Sequence, residues 1–186
     1  MAEPANAPIG LTRGLVRLEQ HHAGWARVFA EEAARLADAL GDLAVRIEHV
    51  GSTAIPGLIA KPILDIVVAL PSLDDADAAA RILGAIGYEL IPEDPVPDRV
   101  LLVKGTPDAR QIHLSLCDLA SECWRSRVLF RDELRAHPKQ AAAYAALKRD
   151  LAARHPADRA AYTAGKADFI QRVLDAAPRQ EDEHGG

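Results

Sequence analysis

Apolar positions between residues 15 and 40 fall mostly three or four apart, at Leu15, Leu18, Trp25, Val28, Phe29, Leu36 and Leu40, and Gly41 follows as a stop. That spacing predicts a long helix with Gly24 as its point of interruption. The period then shortens. Residues 45–50 alternate and carry two β-branched valines, which predicts a strand entering the turn Gly51-Ser52-Thr53, and Pro56-Gly57 marks a loop beyond it. Residues 63–70 form a nearly continuous apolar run, the signature of a strand covered on both faces, interrupted by Asp65 alone. A carboxylate there is costly to desolvate without a partner.

Pro71-Ser72 followed by Asp74 and Asp75 starts a second helix running to about residue 86, and Gly87 ends it. Short runs at 88–91, 99–104 and 110–117 predict an antiparallel meander. In the last of them Ile112, Leu114 and Leu116 share one face, and Gln111, His113 and Ser115 the other. From about residue 121 the chain is alanine-rich and helical, broken by Pro138 and Pro156 into about three helices. The pattern is α+β: a core over 14–118 and C-terminal helices over 119–177 packed on it. Residues 1–13 and 178–186, aperiodic and polar, are expected to be disordered tails.

Composition narrows the function classes. A net charge of -5 and 4% aromatic residues argue against a broad grip on nucleic acid, which needs clustered cations and stacking rings. Two cysteines without a CxxC spacing make no disulfide framework, and no apolar run is long enough to span a bilayer. A cytoplasmic protein without membrane partners is expected.

The segment from Glu48 to Asp65 holds the candidate chemistry. A Gly51-Ser52-Thr53 turn after a strand offers backbone N–H groups and hydroxyls to a phosphate, and Lys61 adds a charge. It is not a P-loop, because Lys61 is followed by proline and a strand. Together with Trp25, Phe29, His113, Phe130-Arg131-Asp132, Leu134-Arg135, Tyr144, Leu147-Lys148, Tyr162 and Lys166, this segment resembles the GrpB family. The resemblance implies a nucleotidyltransferase-like mixed sheet with flanking helices, and members occur fused to dephospho-CoA kinase or are labelled folding accessories.

Nucleotidyltransferases of this fold follow a Gly-Ser turn with paired carboxylates on the next strand and a third on a later one, to hold two metal ions. Here Gly51-Ser52 fits the turn and Asp65 the first carboxylate. Val67 stands at the second, and the later strand offers His113. The expected site therefore joins Glu48, Asp65 and His113 as catalytic residues and ligands of one Mg²⁺ or Mn²⁺. Gly51, Ser52, Thr53 and Lys61 take the phosphate of a nucleotide or phosphorylated small molecule. Coenzyme A-pathway proteins are the implied partners. The alternative is a non-catalytic module binding a nucleotide, a coenzyme A precursor or a protein.

Structural readings stand beside these. Asp65 pairs with Lys61 or Arg46 to fix the sheet, and His113 bonds only a neighbour. Cys117 and Cys123 are inert thiols, and His21-His22 an exposed helix surface. Tyr144 and Tyr162 belong to the core. Arg131, Arg135, Lys148 and Lys166 are solvated faces or structural ion pairs, unless one or two close over an anion.

Overall fold

The computed structural model describes residues 9–92, 94 and 96–178. Five strands, β1 (Arg46–Val50), β2 (Leu64–Leu70), β3 (Tyr88–Leu90), β4 (Val100–Thr106) and β5 (Ala109–Asp118), form one sheet in the order β1-β2-β5-β4-β3. β2 runs parallel to β5 and the other pairings are antiparallel, so the expected meander β3-β4-β5 is present and closes onto β2. The architecture is α+β with a mixed sheet and flanking helices.

The uninterrupted apolar run of β2 has the cause expected of it. Ile66, Val68 and Leu70 face a core shared with Leu114 and Leu116 of β5 and with Trp25, Leu36 and Leu83 of α1 (Gly24–Leu40) and α2 (Ala76–Gly84). Val67 and Ala69 face the other way and pack with Cys117, Cys123 and Trp124 under α3 (Glu122–Ala136). Ser121 caps α3 by accepting the Trp124 N–H, and Pro138 opens α4 (Pro138–Arg154) from its first turn, where a missing N–H costs nothing.

Two sequence expectations change. The first helix begins at Gly24, not at residue 15. Glu19 exchanges both backbone hydrogen bonds with Ala60, and Val16 donates to the Pro156 carbonyl, so tertiary pairing overrides a helical spacing. The two histidines accordingly precede the helix. His22 Nδ1 accepts the Gly24 N–H at 3.1 Å, and His21 stands edge-on to Trp25. The C-terminal half holds four helices where about three were expected, because a further break at Gly165 separates α5 (Arg159–Ala164) from α6 (Ala167–Ala176). A side chain at Gly165 would run into Leu151 of α4.

Of the expected N-terminal tail, residues 9–13 are fixed. Gly10 donates to the Pro62 carbonyl, and Leu11 bridges Arg110 and is buried. Residues 1–8 and 179–186 lie outside the described residues. No helix among the described residues is long and apolar enough to cross a membrane.

One polar cluster ties α1 to the far edge of the sheet. Glu32, 4% exposed, accepts from the Tyr88 hydroxyl at 2.9 Å, from Lys104 Nζ at 2.6 Å and from Arg35 at 3.2 Å. Burial opposes its ionisation, but the bonds from Lys104 and Tyr88 hold its pKa below the ordinary value. Removing one partner of such a set strands the others. Glu32→Ala is expected to destabilise the protein by about 3 kcal/mol, read as a lower urea midpoint with an unchanged m-value.

Candidate active site

Gly51 has φ +69°, and a Cβ there would meet Asp65, whose Cβ and Cγ lie 3.0 Å from its place. Glycine is therefore required both for the turn and for the close approach of the carboxylate on β2. The register completes the grouping. Asp65 stands opposite Val50 on one side and His113 on the other, so Asp65 and His113 share a face at one end of the buried strands.

His113 Nδ1 lies 3.2 Å from Asp65 Oδ1, and His113 Nε2 lies 3.5 Å from Arg159 NH2. Arginine has only donors, so its approach makes Nε2 the acceptor and leaves Nδ1–H to donate to Asp65. The imidazole is thus oriented by the carboxylate, with its second nitrogen turned to the cavity.

That cavity, about 180 Å³, is lined by Ser52, Thr53, Lys61, Asp65, His113, Lys148, Arg159, Tyr162 and Lys166. Lys148 Nζ donates to Ser52 Oγ at 2.9 Å and to the Ile59 carbonyl, and lies 4.8 Å from the centre of the Tyr144 ring. Lys166 and Lys61 lie over the ring of Tyr162, at 4.6 and 5.6 Å. Three ammonium groups and a guanidinium thus line the same cavity as Asp65, the one acidic residue among the described residues lining it.

Electrostatics follow from this crowding. Burial lowers the pKa of Lys148 to about 7, with Lys166 and Arg149 adding to the effect. Burial, then Arg159 and Lys166, lowers that of Lys61 to about 8, and burial lowers that of Lys166 as well. The Asp65 side chain is 45% exposed, toward the cavity, yet enough protein surrounds it that desolvation opposes its charge. The hydrogen bond from His113 and the charges of Lys61 and Lys166 outweigh that and hold the carboxyl below the usual range.

Of the residues proposed from sequence, Asp65, His113, Ser52, Thr53 and Lys61 line this cavity, and Gly51 shapes it. Thr53 is buried, its hydroxyl 2.9 Å from His49 Nε2, and His49 stacks on Phe29. Burial holds the pKa of His49 down at about 4, so it is neutral. Glu48 is not brought to the cavity. It stands opposite Val67, and Arg131 NH1 binds its carboxylate at 2.7 Å while also donating to the His49 carbonyl. Arg135 likewise clamps the Ala54 carbonyl through two bonds, so both arginines are structural.

Cys117 and Cys123 are free and buried. Among the described residues no group of three or more His, Cys, Asp or Glu is placed to hold a metal ion. Sequence reasoning named Lys148 and Lys166 only among four cations of which one or two could close over an anion, and did not single out Arg159. A signal existed for the first: Lys148 lies four residues after Tyr144 and three before Leu151, on the apolar stripe of α4.

Residues 15–176 match the family described as GrpB protein. UPF0157 protein PA4798 of Pseudomonas aeruginosa is 42% identical over 82% of this chain and 64% of its own, so the chain spans just under two thirds of that relative. Glutamate-rich protein GrpB of Alkalihalophilus pseudofirmus is 32% identical over 89% of this chain and 98% of its own. The crystal structure of conserved protein GrpB from Enterococcus faecalis is similar at a TM-score of 0.78 and 31% identity, covering 86% of this chain and 95% of that one.

The lowered pKa of Lys148 has a sign that can be measured. Between about 7 and the unfolded value near 10.5 the unfolded chain binds more protons at this group, so its cost to folding shrinks as pH rises through that window. The urea midpoint of the ligand-free protein is expected to rise between pH 7 and pH 9.5, and Lys148→Met to flatten that slope whatever it does to stability itself.

Proposed function

The chain belongs to the GrpB family, and on that premise we propose that its cavity binds the phosphate of a nucleotide or phosphorylated small molecule through fixed cations. The observation that carries this reading is the convergence of Lys61, Lys148, Arg159 and Lys166 on a cavity with a single carboxylate among the described residues lining it. Ser52 and the Gly51 turn supply neutral hydrogen-bonding groups beside them. Inside a cavity of low dielectric, such charges attract a phosphate more strongly than surface lysines do.

The fold family implies Mg²⁺ or Mn²⁺, but the donors fall short of a metal centre. Val67 is apolar and packed, Glu48 is held by Arg131, and Asp65 and His113 bond each other. Positive side chains around Asp65 further disfavour a divalent cation. In this reading the lysines and Arg159 supply the charge neutralisation that metal ions supply elsewhere.

A second reading, group transfer at the bound phosphate, has one observation in its favour. Asp65 orients His113 with Nε2 as an acceptor facing the cavity, and this nitrogen becomes a general base once Arg159, which donates to it in the ligand-free protein, turns to the bound phosphate. His113→Asn separates the two readings, since transfer predicts lost turnover with binding retained.

Binding is tested by calorimetric titration of inorganic phosphate, AMP, ATP and coenzyme A precursors, each in EDTA and in Mg²⁺ or Mn²⁺. The expected result is binding in EDTA, weakened about tenfold or more by the pair Lys61→Ala and Lys166→Ala, equivalent to ~1.4 kcal/mol. Binding that requires the metal, or that ignores both substitutions, would contradict the proposal.

A further inference from the structure

A second cavity, about 100 Å³, adjoins the first. It shares Lys61, Ile63, His113 and Arg159 with the cationic cavity, so the two meet at the imidazole. Beyond these its walls are mostly aliphatic, with Thr12, Arg13 and Arg110 as the polar side chains. Val103 stands opposite His113 and Leu101 opposite Ser115, so β4 continues the same sheet face outward from the Asp65–His113 pair. The segment fixed by the Leu11–Arg110 bridge passes over this part of the face and contributes Leu11 and Leu15.

Leu15 is 47% exposed, and Ile91 and Leu101 are partly exposed, so water meets an aliphatic lining here. An exposed apolar lining contiguous with a charged cavity is an arrangement suited to a ligand with both kinds of group. Among the described residues no Phe, Tyr or Trp lines the second cavity, and these offer no aromatic platform on which a nucleobase stacks.

We infer that the second cavity is a subsite for the organic part of the ligand, and that the preferred ligand is an alkyl phosphate. Its phosphate sits among Lys61, Lys148, Arg159 and Lys166, and an aliphatic chain of about four or five carbons lies beyond His113. The size follows from the volume, since a cavity of roughly 150 Å³ holds a six-carbon ring. The inference rests on the phosphate-binding reading above and narrows it from nucleotides in general to small aliphatic esters. Arg110, buried and bonded to the Gly105 carbonyl, closes one wall, and Arg13, also lining the cavity, is exposed to solvent.

The test is a calorimetric series of inorganic phosphate and the methyl, propyl, butyl, pentyl and octyl phosphates in EDTA. Affinity is expected to rise by roughly fourfold per carbon up to butyl or pentyl and then to level off. Leu101→Trp, which fills the second cavity from a partly exposed position, is expected to remove the gain while leaving inorganic phosphate binding unchanged. Equal affinity for phosphate and butyl phosphate overturns the subsite and leaves the phosphate reading standing. A steady gain through octyl also overturns it, since that indicates contact with open surface rather than a bounded cavity. No binding by any member of the series overturns the phosphate reading itself. The alkyl series alone decides the matter if Leu101→Trp does not fold.

Discussion

The carboxylate of Asp65 stands at the end of a strand whose other residues are almost all buried, and keeping it ionised there constrains its surroundings. Desolvation opposes the charge, so donors and cations must offset it. Each neighbour answers to that requirement. Gly51 lacks a side chain because the carboxylate occupies its space, and His113 arrives by the parallel pairing of β2 with β5. Lys61 comes from the loop before β2, while Lys148 comes from α4 and Lys166 from the turn between α5 and α6, far along the chain. The C-terminal half thereby completes a site that the sheet only begins.

Three lysines and an arginine against one carboxylate leave an excess of positive charge inside the cavity. Burial answers part of that excess by pulling Lys148 and Lys61 toward neutrality, to about 7 and about 8. An incoming dianion reverses the balance, because it makes the protonated forms favourable again. On the phosphate-binding proposal, such a site gains affinity and charge together on binding. It differs in that respect from paired carboxylates that must recruit divalent metals.

Much of the fold was legible in the sequence because one physical signal dominated each segment. The continuous apolar run of β2, the alternation of β5 and the Pro-Gly punctuation of the loops all reflect local burial. The helical spacing before Gly24 misled, because Leu15, Val16 and Leu18 are apolar for a different reason. They pack against the second cavity, Leu151, Tyr162 and the loop near Ile59, in a backbone paired with Ala60. The site was legible around Asp65, Ser52, Lys61 and His113, where turn and strand patterns bring residues together locally. Glu48 could not be separated from them by sequence, since its removal from the cavity depends on Arg131, eighty-three positions away. Arg159 was hidden for the same reason, and Lys166 could not be told apart from Arg131 and Arg135: helix packing, not spacing, decides which cations reach the cavity.

Proton uptake on anion binding tests the central claim most directly. Sulfate, a dianion throughout the relevant range, is titrated into the protein at pH 8 in several buffers of different ionisation enthalpy. Partly neutral Lys148 and Lys61 are then available to take up protons, so the observed heat is predicted to vary with the buffer in the sense of net uptake, and less so in Lys148→Met. Sulfate binding with no buffer dependence, or with proton release, would contradict a site built from buried lysines.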